Sequence, residues 1–559
     1  MIITINNKKI KAKKGQTILE VAKANNIEIP TLCHDTDLTH RASCRICVVK
    51  ITGQNNLCPA CSTKIKEGMQ ITTDSPEIRS IRRTNLELLF SQHKEECSDC
   101  IWNFNCKLLD LAREYKADIC RFKDRKTTHP IYKFGPALIF DSAKCIDCGN
   151  CIEVCQNQAV GYLRLEQGEK NLFQVRPVGH KDCIYCGQCI VHCPAGAFEA
   201  AGEFEKTNQA LQEKDKIVIF QFAPSIRTSL GEEFGMEAGE VVTEQLVGAM
   251  KALGADYVFD VCVGADFTTT EEANELIEKL DKGKPKVMFS SCCPAWVRFV
   301  EKYYPEFTSN LSIARPPHII LGGLIKTYFA KKYKLDPKKI KVVSIMPCVA
   351  KKYEIRRKEM TIDDMKAVDY VLTTRELAYL MHRNKINLKT VKPIKADNPL
   401  GIPSGAGVIY GASGGVMESA LRTAQSKLTN TTLPKIEFKQ VRGQQGIKTA
   451  VVDIADHKLK VAVVSGTGNA KKILEELKEN PQAYSCVEVM ACPGGCIGGG
   501  GQPVPADSTI RAKRAAGLYK IDASKNLRIA HLNPIVQKTY KEFLTNKAII
   551  KKICHAKYE

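Results

Sequence analysis

The sequence predicts a multidomain chain of α/β and α+β modules, small α+β modules first and one large α/β module last. Three observations carry this. The 559 residues exceed one domain on the usual prior of about 150 residues each. Most of the 25 cysteines fall in short-spaced clusters, which favours metal ligation over disulfides. From about residue 215 onward strands alternate with helices, as in a doubly wound α/β domain.

Composition narrows the class. The formal net charge is +21, with lysine-rich runs at Lys331 to Lys341 and Lys351 to Lys358. Such a surface reads as a solvated basic face or as a docking face for an acidic electron carrier. Charge alone would also suit nucleic acid or an anionic membrane, but thiol clusters imply redox work, so neither is expected as a partner. The opening Met1-Ile2-Ile3-Thr4-Ile5 passes into an amphipathic hairpin without a hydrophobic signal core. No apolar run reaches the roughly 18 residues of a membrane span. The expected compartment is therefore the reducing cytoplasm.

Residues 1–75 read as a β-grasp domain. Ile2 to Ile5 and Lys8 to Lys11 flank Asn6-Asn7 as a hairpin, and Thr17-Ile18-Leu19-Glu20 has the capping-box form that opens a helix. Cys33, Cys44, Cys47 and Cys61 follow in an order that resembles the plant-type ferredoxin pattern, with a longer first gap. Four thiolates in a self-wrapping loop suit a 2Fe-2S cluster, with a structural zinc site as the alternative. Cys58 is the spare.

In residues 76–135, Asp74-Ser75-Pro76 starts a helix with packing residues Ile78, Ile81, Leu86 and Leu89. It leads to His93, Cys97, Cys100 and Cys106, read as one imidazole and three thiolates that hold a 4Fe-4S cluster. Imidazole in place of thiolate removes a negative charge and should raise the cluster's potential.

Residues 136–205 hold the strongest short motif. Cys145, Cys148, Cys151 and Cys155 form a run that Cys183, Cys186, Cys189 and Cys193 repeat. This is the bacterial two-4Fe-4S ferredoxin arrangement, in which the fourth cysteine of each run serves the other run's cluster. Cys145, Cys148, Cys151 and Cys193 therefore hold one 4Fe-4S cluster, and Cys183, Cys186, Cys189 and Cys155 the second.

In residues 206–559, three apolar strands run into cysteines. Lys286 to Phe289 precedes Ser290-Ser291-Cys292-Cys293-Pro294, Val342 to Met346 precedes Pro347-Cys348, and Val487 to Met490 precedes Ala491-Cys492-Pro493-Gly494-Gly495-Cys496. Adjacent cysteines cannot pair with each other without severe distortion. Ligands collect outside the carboxyl ends of strands in open α/β sheets, so these thiols are expected at one crevice. Gly498 to Gly501 is expected to be a flexible loop and lacks the ending of a phosphate loop.

With these three signatures and Val349-Ala350-Lys351-Lys352-Tyr353-Glu354 in order, the chain resembles the FeFe-hydrogenases, and most of all the monomeric clostridial form with four accessory clusters. The resemblance covers essentially the whole chain. It implies an H-cluster domain over 206–559, whose cofactor is a 4Fe-4S cubane joined through a cysteine sulfur to a two-iron site carrying carbon monoxide, cyanide and an azadithiolate bridge. By position, Cys293, Cys348, Cys492 and Cys496 would hold the cubane, with Cys496 bridging. Cys292 would pass protons to the bridging amine. Lys351 would face a cyanide, the backbone of Ala223 and Pro224 with Ser225 would add contacts, and Met346 and Met490 would wall the two-iron site.

The resemblance also implies a proton relay through Glu275, Ser312, Glu272 and Cys292, with Glu354 as a nearby acid. Glu272 and Glu275 stand three apart on a predicted helix and so share a face. The chain departs from the family's pattern at Arg315-Pro316-Pro317-His318 and at Val261-Cys262-Val263, both near the expected pocket. Cys262 reads as an inert buried thiol or one beside the cofactor, and Cys120, Cys486 and Cys554 as packing.

The function so implied is reversible reduction of protons to dihydrogen. Its electron partner would be ferredoxin docking near the N-terminal clusters, its other partners the hydrogenase maturation proteins, and its state a monomer. An anaerobic organelle such as a hydrogenosome is the alternative compartment. Three rivals stand beside this reading: a sensory or bifurcating hydrogenase subunit, a non-catalytic cluster-assembly factor, and an electron-transfer subunit like that of respiratory complex I.

Overall fold

The computed structural model describes residues 1–559 apart from 40, 94–96, 99, 127, 168–172, 283–285, 398, 431–435 and 559. Asn6 and Asn7, at φ 49° and 65°, turn the chain between the antiparallel strands Ile2–Ile5 and Lys8–Lys11. The short amide side chain tolerates this left-handed turn. The Thr17 hydroxyl accepts from Glu20 N while the Glu20 carboxylate accepts from Thr17 N, so the capping box starts the helix Ile18–Ala24. Ile18 and Val21 pack on Ile3, Ile5, Val49 and Ile71 of a five-stranded sheet ordered Lys8–Lys11, Ile2–Ile5, Gln70–Thr72, Val48–Ile51, Cys58–Pro59.

Ser75 caps the helix Pro76–Phe90 and Pro76 takes its first position. Ile78, Leu86 and Leu89 are buried, but Ile81 is 42% exposed, against expectation. Its place is taken by Arg82, one position further round, which lies on the Ile78 and Leu86 face and donates to Val48 O, Thr73 O and the Tyr115 hydroxyl. The expected boundary near 135 falls inside a hairpin, since Ile131–Phe134 pairs with Leu138–Asp141.

The large C-terminal part holds two four-stranded sheets, where a single doubly wound sheet was expected. One is parallel and ordered Tyr257–Asp260, Ile217–Phe222, Ile340–Met346, Tyr370–Thr373. The other is ordered Met288–Phe289, Cys486–Met490, His457–Ser465, Ile447–Ile454, antiparallel only in its last pair. The three cysteine-bearing strands are thus divided between sheets. Strands buried on both faces read as the same continuous apolar run, so the pattern carries no sign of which neighbour each will pair with.

The 21-residue helix Val261–Asp281 starts at the end of Tyr257–Asp260, capped by the Asp260 carboxylate, and packs against the helices Pro317–Leu324 and Gly415–Thr429. Gly498 to Gly501 is a packed joint, where a flexible loop was expected. A Cβ at Gly499 would fall 2.2 Å from Pro347 O, and one at Gly500 2.7 Å from the Gly187 Cα. The glycines let the C-terminal part meet the ferredoxin-like part backbone to backbone. Cys486 and Cys554 are buried as expected, whereas Cys120 is exposed. Among the described residues, no helix is long and apolar enough to cross a membrane.

Candidate active site

The carboxyl ends of the two sheets close round one cavity. Cys292, Cys293, Cys348, Cys492 and Cys496 all line it, with Lys351, Met346, Met490, Ala223 and Pro224. Ser225 lies directly behind the lining, buried, and its Oγ has no hydrogen-bond partner among the described residues. The amide and carbonyl of Ala223 are engaged with Ile345 O and Ile226 N.

The cavity suits a polynuclear iron group. Burial pushes the thiols of Cys293, Cys348, Cys492 and Cys496 up, Cys348 to about 12, so bare thiolates would not persist there at neutral pH. Iron bound to the sulfurs would supply the missing positive charge. Among the described residues no three His, Cys, Asp or Glu side chains gather as they would round a single ion. Thiols spread around the wall of one cavity fit a cluster instead.

Lys351 reaches the cavity from the helix Lys351–Glu354, which begins where the loop after Cys348 ends. Its Nζ donates to Cys292 O at 3.0 Å and to Glu354 Oε2 at 2.8 Å, leaving one of three N–H groups for the cavity. Glu354 is buried, and the Lys351 charge holds its carboxyl low against the cost of burial. It lies in a chain of contacts rather than in the relay. Gln221 Nε2 donates to Ser344 Oγ at 2.6 Å, Ser344 stands 3.1 Å from His318 Nδ1, and His318 Nε2 stands 2.5 Å from Glu354 Oε2. Burial holds His318 neutral, so Ser344 donates to Nδ1 and Nε2–H donates to Glu354. His318, one of the departures from the family pattern, thus lines the cavity and anchors the acid that holds Lys351. The other departure points away: the Cys262 thiol takes a hydrogen bond from Arg227 at 3.2 Å in the core, and Val261 lines the cavity instead.

Both glutamates of the expected relay sit on the helix Val261–Asp281. Ser312 Oγ donates to Glu275 Oε2 at 2.9 Å, and Glu275 pairs with Lys279 at 2.9 Å near the surface. Glu272 is buried, its carboxyl pushed up to about 8 by burial and then by the charge of Glu275. Its Oε1 has no partner among the described residues. Burial also pushes the Cys292 thiol well up, with Glu272 the first charge acting on it. Ser312 and Glu275 touch; Glu272 makes no hydrogen bond to either Ser312 or Cys292 among the described residues. Tyr410, which motif reading missed, stands at the cavity wall beside Glu272. Its hydroxyl donates to Glu272 Oε2 at 3.3 Å and stands 2.7 Å from Thr269 Oγ1. Its only signal in the sequence is the glycine-rich turn Gly411 to Gly415 that follows it.

The accessory thiols also gather. Cys33, Cys44, Cys47 and Cys61 are mutual neighbours, while Cys58 turns aside to Gln54. His93, Cys97, Cys100 and Cys106 line one cavity of about 330 Å³. His93 Nδ1 is taken by Lys144 O at 2.8 Å, which turns Nε2 toward that space. Cys145, Cys148 and Cys193 surround Cys151, and Cys155, Cys183, Cys186 and Cys189 line a cavity of about 380 Å³. That last group abuts the large cavity, where the Cys492 thiol lies 3.8 Å from Cys186 O.

Comparison with known proteins agrees with this architecture. Residues 216–500 match the family model of the iron-only hydrogenase large subunit, C-terminal domain, and residues 508–559 that of the iron hydrogenase small subunit. Residues 1–76 match a 2Fe-2S iron-sulfur cluster binding domain, 82–119 the iron-sulfur binding region of NADH-ubiquinone oxidoreductase-G, and 144–197 a 4Fe-4S dicluster domain. The chain is similar to the NADP-reducing hydrogenase subunit HndD of Solidesulfovibrio fructosivorans, 39% identical over 97% of this chain and 96% of that one. It is similar to iron hydrogenase 1 of Clostridium pasteurianum, 38% identical over 100% of this chain and 99% of that one. Among solved structures, apo HydA1 of Chlamydomonas reinhardtii superposes with a TM-score of 0.57 at 35% identity, covering 63% of this chain and 98% of that one.

Proposed function

The chain belongs to the iron-only hydrogenase family, and from that premise we propose that it takes electrons from ferredoxin through its accessory clusters and protons through Glu275, Ser312, Glu272 and Cys292. Membership makes it an oxidoreductase that interconverts protons and dihydrogen, with iron-sulfur clusters and an H-cluster as cofactors. The finer assignment is one 2Fe-2S cluster, three accessory 4Fe-4S clusters, and an H-cluster held by Cys293, Cys348, Cys492 and Cys496. The H-cluster, when bound, supplies the redox chemistry at iron and a basic amine beside it.

The chain's own residues do the rest. The observation that carries the reading is one apolar cavity in which five thiols, Lys351 and two methionine side chains meet at the ends of two sheets. Met346 and Met490 exclude water with soft apolar bulk. Lys351 offers a fixed positive charge and one free N–H. The Cys292 thiol stays protonated until a base at the cavity takes its proton, and Glu272, held near neutrality by burial, can return one. Ser312 passes protons between carboxyls because a hydroxyl both donates and accepts. Clustered cysteines that serve as ligands rather than as disulfides fit a reducing compartment, the cytoplasm or an anaerobic organelle.

Dihydrogen evolution by the matured chain, driven by reduced ferredoxin or by a small viologen at rising salt, tests the partner. Screening should slow only the protein-driven reaction. An equal salt response with both donors would contradict it. The full-length likeness to a subunit of an NADP-reducing hydrogenase favours a second reading, in which companion subunits deliver the electrons. A chain that turns over with viologen but not with ferredoxin would select that one.

A further inference from the structure

A groove opens at the surface between the helix Pro294–Tyr303 and the segment 353–359. Its walls carry Arg298, Lys302, Arg356, Arg357, Lys358 and Lys557 against two carboxylates, Glu301 and Glu359. Both acids are bound to Arg357. Arg298 and Lys302 lean on Asp182, and Arg356 on Glu203. Lys358 and Lys557 are exposed and have no ion-pair partner among the described residues. The groove therefore keeps a positive excess where a solvated face would be mixed.

Its floor sets it apart from other lysine-rich surface. The Arg298 guanidinium lies over the rings of Tyr185 and Tyr353, 4.6 and 5.1 Å from their centroids, and its Nε donates to Cys183 O at 2.8 Å. One layer of side chains thus separates the groove from the loop that carries Cys183. The lysines of the N-terminal hairpin offer no such path. Lys8, Lys9 and Lys11 lie on the edge strand at the far side of their sheet from Val48–Ile51 and Cys58–Pro59, the strands beside that domain's cysteines.

We propose that this groove is a second electron port, at which a small acidic electron-carrier protein docks and exchanges electrons with the cluster of Cys155, Cys183, Cys186 and Cys189, bypassing the N-terminal clusters. One electron passes per encounter, the carrier is oxidised and the cluster reduced, and no bond or proton moves. Because this cluster's cysteines abut the catalytic cavity, the port shortens the route to a single cluster. The proposal rests on the reading that the chain exchanges electrons with such a carrier.

The test uses the matured full-length chain, an acidic two-cluster ferredoxin reduced photochemically, and methyl viologen as the small donor. One variant carries Lys302→Glu, Lys358→Glu and Lys557→Glu, and a second carries Lys8→Glu, Lys9→Glu and Lys11→Glu. Steering by local charge changes encounter rates by roughly ten- to a thousandfold, so the groove variant should raise the KM for ferredoxin about tenfold or more with viologen turnover unchanged. Zero-length carbodiimide cross-links should join ferredoxin carboxylates to Lys302, Lys358 or Lys557 in the wild type. A groove variant with wild-type KM, or cross-links confined to the N-terminal hairpin, overturns the port while leaving ferredoxin as donor. A wild type that ferredoxin cannot drive, but viologen can, removes the underlying reading as well.

Discussion

The Tyr410 hydroxyl donates to Glu272 Oε2 at 3.3 Å, and it is the one hydrogen bond the described residues give that buried carboxyl. Removing it with Tyr410→Phe leaves the cavity's shape and takes away a bond worth about 1 kcal/mol. Turnover should fall a few-fold to about tenfold, and the carboxyl should titrate higher, since this bond lowers it. The pH profile of dihydrogen evolution checks both.

Glu272 itself makes stability depend on pH. Its folded value of about 8 lies above the ordinary 4.5, so the folded chain binds the extra proton. The associated stability is fully present below pH 4.5 and is lost as pH rises through about 8. Glu272→Gln should flatten this part of a Tm against pH curve recorded on the apo chain.

Ser312 Oγ and Glu275 Oε2, 2.9 Å apart, would form the outer step of the proposed proton path. Ser312→Ala or Glu275→Gln should lower turnover about a hundredfold or more, the usual weight of a positioned proton carrier. Infrared bands of the assembled cofactor should be unchanged. Bands lost along with activity would mean that these residues serve assembly instead.

Lys351→Met removes one partner of a buried pair and leaves Glu354 with His318 alone. Such losses cost about 3–5 kcal/mol, which thermal unfolding of the apo chain would register. The carboxyl of Glu354 is held low in the folded chain, so the wild-type pair contributes stability above the ordinary value of 4.5 and loses it as pH falls through the folded value. The variant's deficit should therefore narrow in acid.

Gly500→Ala would press a methyl group to 2.7 Å from the Gly187 Cα, with no flexible side chain to yield. The two parts must separate there, so turnover driven through the accessory clusters should fall, and the Tm with it.

Cysteine order made the cluster groups legible, because ligand spacing is local chemistry that a chain records in order. Cys292 and Cys293, Cys348, and Cys492 with Cys496 point to one cavity from the sequence alone. What could not be read depends on partners distant in sequence. Met288–Phe289 and Ile340–Met346 look alike as apolar runs, and nothing in either says they belong to different sheets. Ile81 and Arg82 exchange roles because Val48 O and Thr73 O await a donor that no helical pattern reveals. Tyr410 carries no motif, and only the fold brings its hydroxyl to Glu272.

Infrared spectroscopy on the anaerobically matured chain, with Cys292→Ala assayed beside it for dihydrogen evolution, tests the central claim most directly. The account predicts metal-bound cyanide and carbonyl bands in both chains, with turnover in the wild type and its loss in the variant. Absence of such bands from fully matured wild type, or undiminished turnover in Cys292→Ala, would contradict it.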